Sequence, residues 1–448
     1  MTPKLEHVLA EVRSAVTPSE DEKRKLSTIA GRVLERIRTV AREMGVGADP
    51  MVVGSFAKDT WLANETDLDI FVLFDETTSR AEIERTGLEL AERVAGGGGV
   101  KAYAEHPYVR FFEEGVRIDL VPAVRVSDTS KLVTAVDRTP FHVEFVKKRL
   151  TEALKSDVRL LKRFMKGTGV YGAESRTSGF SGYVCELLVL RYGSFSAVLK
   201  SASEWRPGTV VNLGGIEVSN DILSSHFVLV DPTDPRRNAA AAVSIEAMGT
   251  FVLASTSFLR EPGIHYFFPR QNVTEKEPDP HFVLLELALD LVEEVAWSEL
   301  RSSSRSIAMH LDRAGFGVRD YGYLYFPGTG YMLLELDRIE LPPVEKRTGP
   351  PFYLTREVDS FVTRNMDTMT KGPWLEGERV VIVKKRGRRA LEEFLGQERE
   401  IDLAPHVRAS YAQRKVLVDE MAVAHSKTKG FYQEVCTFLS RPSWLSRV

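Results

Sequence analysis

Gly54-Ser55 is separated by eleven residues from Asp67-Leu68-Asp69-Ile70. The run from Asp67 to Phe74 (DLDIFVLF) predicts a strand. Side chains alternate along a strand, so Asp67 and Asp69 project together while Leu68 and Ile70 turn the other way. Two carboxylates on one face of an otherwise apolar strand repel each other and lose hydration. A divalent cation relieves both effects, and hard oxygen ligands with open positions suit magnesium. Asp119, between Ile118 and Leu120 in the alternating segment from Val116 to Pro122, supplies a third carboxylate. Asp67, Asp69 and Asp119 are therefore the candidate catalytic and metal-binding set, able to hold one or two ions that clamp the attacking and leaving oxygens of a phosphoryl transfer. Where a strand ends in Gly54-Ser55 before a helix, backbone N–H groups and a hydroxyl turn toward an anion. Lys58, over the first helical turn, brings an ammonium within reach of a phosphate. A lone Gly-Ser is usually a turn and a lone Asp-x-Asp usually a solvated strand face; the fixed gap and the apolar surroundings favour a site.

The elements that would carry these groups alternate between strand and helix. Leu5, Val8, Leu9 and Val12, then Leu26, Ile29, Val33 and Ile37, repeat at helical spacing and predict two helices broken at Thr17-Pro18-Ser19-Glu20. A helix over 56–62, the strand from Asp67, a helix over 80–94 ending in Gly96 to Gly99, and strands over 100–104, 109–112 and 116–122 make a small mixed α/β domain. Helices over 141–167, 177–192 and 239–259 make the next region mainly α. Beyond Pro262-Gly263, strands over 317–326, 331–341 and 378–385 mix with helices over 299–314 and 389–394. The order strand, helix, two strands from His281 to Leu341 fits a ferredoxin-like unit.

A chain of 448 residues is long enough for about three domains. Sixty Lys and Arg against 63 Asp and Glu leave a net charge of −3, which does not exclude a polyanionic partner, because a basic stripe can be offset elsewhere. Two cysteines, Cys185 and Cys436, exclude a disulfide framework and a zinc finger and fit a reducing compartment. A membrane span needs about 20 apolar residues, and the most apolar window, His281 to Val292, is broken by Glu286 and Asp290. Met1 to Glu11 has no apolar core and is not a signal peptide. A cytoplasmic protein that works without a membrane is expected.

Several runs together resemble one family. They are Gly54 to Leu62 (GSFAKDTWL), Tyr103 to Val109 (YAEHPYV), Ala135 to His142 (AVDRTPFH), Arg159 to Lys162, Tyr171 to Glu174, Gly179 to Tyr183 and Arg237 to Ala240. Within the polymerase-beta-like nucleotidyltransferase superfamily, this set and its order resemble the archaeal-type (class I) CCA-adding enzyme, densely over residues 50–260 and thinly beyond 266. The resemblance implies a multidomain α+β fold. Residues 1–145 would be a mixed α/β nucleotidyltransferase head, 146–262 a mainly helical neck that binds nucleotide, and 263–448 an α+β RNA-binding body and tail. It implies addition of C, C and A to the 3′ end of tRNA from CTP and ATP, with Mg2+ as cofactor and pyrophosphate released. Asp67, Asp69 and Asp119 would bind the metal. Ser55 and Lys58 would contact the triphosphate, His142, Lys162 and Tyr171 would also bind the nucleotide, and Arg237 would read the base. The expected partners are tRNA, CTP, ATP and a second copy in a homodimer. The family often carries Glu at the position of Asp67 and Arg at that of Lys58, and Lys lacks the bidentate phosphate fork.

Taken by themselves, the same residues have plainer readings. Arg159, Lys162, Arg163 and Lys166 make a basic helical face opposite Val158, Leu161 and Met165, and such a face is commonly solvated. His142 near a helix start suits a cap, Tyr171 suits a packed ring, and Arg237 before an Ala-rich helix suits solvent. His106 is a secondary candidate. From Arg379 to Arg389 six cations occur without an acid, a pattern that suits phosphates, while Phe352, Tyr353, Phe361 and Trp374 could stack on exposed bases. A poly(A) polymerase or an oligoadenylate synthetase would share the carboxylates, and an inactive RNA-binding relative would share the fold.

Overall fold

The structure, a computed structural model, describes residues 3–103, 107–128, 134–215, 217–269, 280–440 and 444. Its chain forms two compact units, Met1–Gln271 with Arg441–Val448, and Asn272–Ser440.

The first unit opens with α1 (Pro3–Val16) and α2 (Glu20–Glu43). Ser19 and Glu22 form a capping box that starts α2, as the Thr17-Pro18-Ser19-Glu20 break leads one to expect. There follow β1 (Ala48–Val52), α3 (Gly54–Ala57), β2 (Asp67–Phe74), α4 (Arg80–Ala95), β3 (Val100–Tyr103), β4 (Pro107–Glu113) and β5 (Val116–Val124). These strands form one sheet in the order β1-β2-β5-β4-β3. β2 lies parallel to β5, with Asp69 paired to Asp119, and antiparallel to β1. Leu68, Ile70, Val72 and Phe74 pack with α2 and α4 on one face, and Phe71 and Leu73 are buried on the other. Burial on both faces explains why β2 runs apolar once past its acids.

Next come α5 (Thr139–Lys147), α6 (Glu152–Gly167), α7 (Gly182–Tyr192), α8 (Phe195–Ala202), β6 (Thr209–Val211), β7 (Phe227–Asp231), β8 (Asp234–Asn238) and α9 (Ile245–Arg260). The apolar face of α1 lies in the same core as α6 to α9. Phe164 is its centre, with the rings of Phe195, Phe258 and Phe267 at 5.4 to 5.7 Å. Truncating such a ring costs about 3–5 kcal/mol. Trp444 packs on Tyr266 in this core at 5.7 Å.

Four expected helices of the first unit differ, and in the second the one expected over 299–314 starts at Glu293. That over 56–62 is one turn, 54–57, because Asp59 takes a left-handed φ of 53° and the Thr60 N–H returns to the Ser55 carbonyl. That over 141–167 is two helices, since Thr151 caps a fresh start at Leu154 N–H. Ser181 and Ser244 likewise cap later starts than expected, by bonds to Val184 and Ala247 N–H, so the helices from 177 and 239 begin at 182 and 245. The small β6-β7-β8 sheet was not foreseen.

The second unit contains β9 (His281–Leu289), α10 (Glu293–Ala314), β10 (Val318–Phe326), β11 (Gly328–Leu336), β12 (Val344–Pro351), α11 (Thr355–Asn365), β13 (Met369–Glu376), β14 (Arg379–Lys385), α12 (Leu391–Leu395), α13 (Pro405–Tyr411), β15 (Lys415–Val418), α14 (Glu420–Lys429) and α15 (Tyr432–Leu439). Its main sheet has the order β10-β11-β9-β15, antiparallel throughout. That is the ferredoxin-like order with α10 as first crossover. A second sheet, β12-β14-β13, is inserted between β11 and β15. Among the described residues no single helix is long and apolar enough to cross a membrane.

Candidate active site

The parallel pairing of β2 with β5 gathers the three carboxylates at one end of the first sheet. Asp119 is buried and takes two bonds from Arg110, Nε at 2.7 Å and Nη2 at 2.8 Å. Asp67 is about half exposed and accepts from Arg117 Nη2 at 2.7 Å. Asp69, between them, is pushed up to about 6, first by burial and then by the negative charges of Asp119 and Asp67. Gly54 lies against Asp69: at φ 68°, a Cβ added there would sit 2.0 Å from Asp69 Oδ2. Glycine at this position is therefore both a conformational and a steric requirement.

These donors match a hard divalent cation in kind, and the raised Asp69 marks a place short of positive charge. Two of the three are engaged by Arg110 and Arg117, and among the described residues no three such groups stand in metal-holding array. A bound cation would thus compete with the arginines for Asp67 and Asp119.

Beside this edge lies a buried ionic cluster that sequence reading missed. Glu186 of α7 is fully buried and accepts from Lys58 Nζ and from Thr60 Oγ1, both at 2.6 Å. Lys162 Nζ donates to the Thr60 carbonyl and hydroxyl at 3.0 Å and lies 3.6 Å from Glu186. Burial would raise the Glu186 carboxyl, but the charges of Lys58 and Lys162 outweigh it and hold it low. Burial is also the chief cause that lowers Lys162. Lys58 therefore does not project over a helical turn: it is 7% exposed and locked on Glu186. Arg159 and Lys162 are buried too, Arg159 donating to the Asp59 and Trp61 carbonyls, so the expected basic face of α6 is not a solvated one. Tyr171 lies beside Lys162, its hydroxyl 3.0 Å from where a Gly182 Cβ would be, with Lys166 Nζ 5.0 Å from its ring. Ser55 sits in the single turn of α3, on the Asp69 side of this cluster through its neighbour Gly54.

A third cluster centres on Asp231, at the end of β7 and wholly buried. Its Oδ1 accepts from Thr233 N–H at 2.9 Å, Thr233 Oγ1 at 2.8 Å and the Tyr183 hydroxyl at 3.1 Å. Its Oδ2 lies 3.0 Å from His142 Nε2 and 2.8 Å from Arg237 Nη1. Burial would raise Asp231, but His142 and Thr233 together depress it below the usual carboxylate range. His142 stacks on Tyr183 at 3.9 Å, and burial is the main cause that lowers its imidazole. Arg237 stands on β8 rather than in a loop before a helix. Lys58 joins the clusters, its Nζ 5.8 Å from the Tyr183 ring and its charge felt by both Asp69 and His142.

Family models match in three stretches: a nucleotidyltransferase domain over residues 34–142, the second domain of tRNA nucleotidyltransferase over 156–268, and the C-terminal domain of CCA-adding enzymes over 282–419. The CCA-adding enzyme of Pyrobaculum islandicum is 39% identical over 85% of this chain and 90% of its own length. That of Methanoregula boonei is 33% identical over 96% and 95%. The chain belongs to the CCA-adding enzyme family. It is a tRNA nucleotidyltransferase, a transferase of tRNA processing, as the resemblance of its motifs implies. Among solved structures, CdnC of E. coli MS115-1 with ATP aligns over 58% of this chain and 94% of its own, with 16% identity and a TM-score of 0.44.

In the second unit the cations from Arg379 to Arg389 are not free of acids. Glu345 on the neighbouring β12 pairs with Arg386 at 3.1 Å and with Lys384 at 4.0 Å, and Arg389 pairs with Glu340 at 2.8 Å. Strand pairing brought in these acids, which lie far off in sequence. Phe352 and Tyr353 are exposed and meet edge to face at 5.6 Å. His106 lies outside the described residues.

Proposed function

We propose that this member of the family adds C, C and A to the 3′ end of tRNA without a nucleic-acid template, using CTP and ATP. The tRNA 3′ oxygen attacks the α-phosphorus, the new P–O bond forms as the bond to the β-phosphate oxygen breaks, and pyrophosphate leaves. Asp67, Asp69 and Asp119 would hold Mg2+, which, when bound, supplies charge to activate the hydroxyl and neutralise the leaving group. The hydroxyl proton departs beside Asp119. Ser55 contacts the triphosphate, and Lys58 does so on exchanging Glu186 for it; His142, Lys162 and Tyr171 also bind the nucleotide, and Arg237 reads the base. Positioning and charge neutralisation do most of the catalysis.

The head, 1–145, presents the carboxylates; the neck, 146–262, presents Lys162, Tyr171 and Arg237; residues 263–448 hold the tRNA by shape. Lys385 and Arg388, of which only Arg388 feels a nearby acid among the described residues, Glu393, contact phosphates, and Phe352 and Tyr353 stack on exposed bases. The protein acts in the cytoplasm. The observation that carries this reading is the convergence of Asp69 and the Glu186 and Asp231 clusters around Lys58. The test is incubation with tRNA lacking its end and with CTP, ATP or both. Addition of C, C and then A is expected, and A-only extension of any RNA would instead make the chain a poly(A) polymerase.

A further inference from the structure

We infer that Glu186 is a positioning residue that competes with phosphate for the Lys58 ammonium, loosening the hold on the triphosphate and expelling pyrophosphate once the bond has formed. This rests on the reading above, in which Lys58 exchanges Glu186 for the triphosphate, and adds what draws Lys58 back.

The two oxygens of Glu186 have different partners. Oε1 accepts from the Thr60 hydroxyl at 2.6 Å and lies 3.6 Å from Lys162 Nζ. Oε2 accepts from Lys58 Nζ, also at 2.6 Å. The two lysines differ as well. Lys162 is tied to the Thr60 turn by bonds to its carbonyl and its hydroxyl, both at 3.0 Å. Lys58 has the Glu186 bond and no other hydrogen bond among the described residues. Glu186 itself cannot follow, because Val184, Cys185, Leu187, Leu188 and Val189 are buried on either side of it in α7. Of the three charges, Lys58 is the one free to move, on a flexible four-carbon stem with three donors that turn together.

Charge balance favours the exchange. Two ammoniums and one carboxylate leave this buried cluster with one positive charge in excess, and an excess charge out of water attracts an anion strongly. When Lys58 leaves, the carboxylate is not stranded, since Thr60 and Lys162 stay on Oε1. The ammonium has a short way to go. Lys58 caps the single turn of α3, whose first residue, Gly54, lies against Asp69, and its Nζ is 5.8 Å from the Tyr183 ring. A phosphate oxygen and Glu186 Oε2 are therefore rivals for one cation. A site that grips the triphosphate grips the departing pyrophosphate through the same oxygens, and such uniform binding does nothing for turnover. A carboxylate fixed to the chain at bonding distance competes at a high effective concentration and frees the product.

The test is isothermal titration calorimetry of the full chain with inorganic pyrophosphate and inorganic triphosphate in the presence of Mg2+, well below the melting transition. Glu186→Gln leaves Lys58 without its carboxylate and should bind both anions roughly ten- to a hundredfold more tightly than wild type, the worth of one charge-assisted hydrogen bond. On tRNA lacking its end, pyrophosphate should become a stronger inhibitor by the same factor, and KM for CTP and for ATP should fall together. A carboxylate with a purely structural role predicts the opposite sign, because a loosened cluster binds anions less well. Cys185→Ala loosens the same helix with both Glu186 oxygens in place and should keep the wild-type affinities. Adding Lys58→Met to Glu186→Gln should abolish the gain. If Glu186→Gln binds no more tightly than wild type while the double variant binds more weakly than either, Lys58 does contact phosphate and only the role of Glu186 is refuted. If the double variant binds as Glu186→Gln does, the contact of Lys58 with the triphosphate fails and the role of Glu186 falls with it.

Discussion

Glu186→Gln should lower the melting temperature of the first unit by several degrees at neutral pH. In the native fold the carboxylate accepts from Lys58 and Thr60 at 2.6 Å and lies 3.6 Å from Lys162, so one buried anion balances two buried ammoniums. The amide removes that charge and turns an NH2 toward donors. Breaking a buried pair from one side costs about 3–5 kcal/mol, which for a unit of this size is roughly 5 to 9 °C. Lys58→Met should cost less, because Lys162 then keeps Glu186 as its partner. The pH dependence has a definite sign. The folded Glu186 carboxyl lies below its ordinary value of 4.5, so its contribution is present above that value and is lost as pH falls through the lower, folded one. The gap between wild type and Glu186→Gln should therefore be flat from pH 7 to about 5 and close only below 4.5. Differential scanning calorimetry of both proteins across that range reads it. A Glu186→Gln melting point within about 2 °C of wild type at pH 7 would refute the counter-ion argument.

Asp67→Ala or Asp69→Ala should abolish incorporation of both C and A while tRNA affinity stays within a few-fold; single-turnover assays retaining more than about a tenth of the wild-type rate would remove the metal assignment. Gly54→Ala should give a soluble protein with severely reduced incorporation, since the new Cβ falls 2.0 Å from Asp69 Oδ2; full activity would mean that the Gly54 turn can move without consequence. Replacing Lys385 and Arg388 together with Ala should flatten the salt dependence of tRNA binding by about 0.7 to 0.9 of a slope unit for each phosphate that is no longer neutralised. Replacing Lys384 and Arg386, which Glu345 already pairs, should change it less, and equal effects from both pairs would count against phosphate binding by Lys385 and Arg388.

Asp67, Asp69 and Asp119 were legible because strand alternation is short-range and an acid interrupting an apolar strand stands out. The partners of those acids were not. Arg110 and Arg117 look like ordinary strand charges until the register sets them against Asp119 and Asp67. Glu186 did leave a signal, a single acid inside Val184-Cys185-Glu186-Leu187-Leu188-Val189, every residue of which is buried. Asp231 left almost none, since Val-Asp-Pro-Thr-Asp-Pro reads as a turn and the carboxylate does close one. The caps Thr151, Ser181 and Ser244 were visible in sequence, yet the long apolar periodicity around them masked the breaks. For α6 the failure was of another kind. Amphipathic spacing correctly sided Arg159 and Lys162, but the Asp59-Thr60 turn and α7 cover that side as well.

The core around Phe164 is stitched from pieces far apart in the chain, α1, Leu62, residues 146–268 and Trp444, with the whole second unit threaded between the last two. Order of synthesis then matters. When Tyr266 and Phe267 emerge from the ribosome, Trp444 is still to be made, and translation at about 5–20 residues per second puts it roughly ten to thirty-five seconds later. For that interval the nascent core has an apolar notch where the indole will sit. The ferredoxin-like sheet has the same delay in miniature, because β9 is central and its outer neighbour β15 arrives only after the inserted sheet. Ribosome stalling or premature termination inside the second unit would thus leave two unfinished cores, one of them in a domain whose own strands and helices had long been complete.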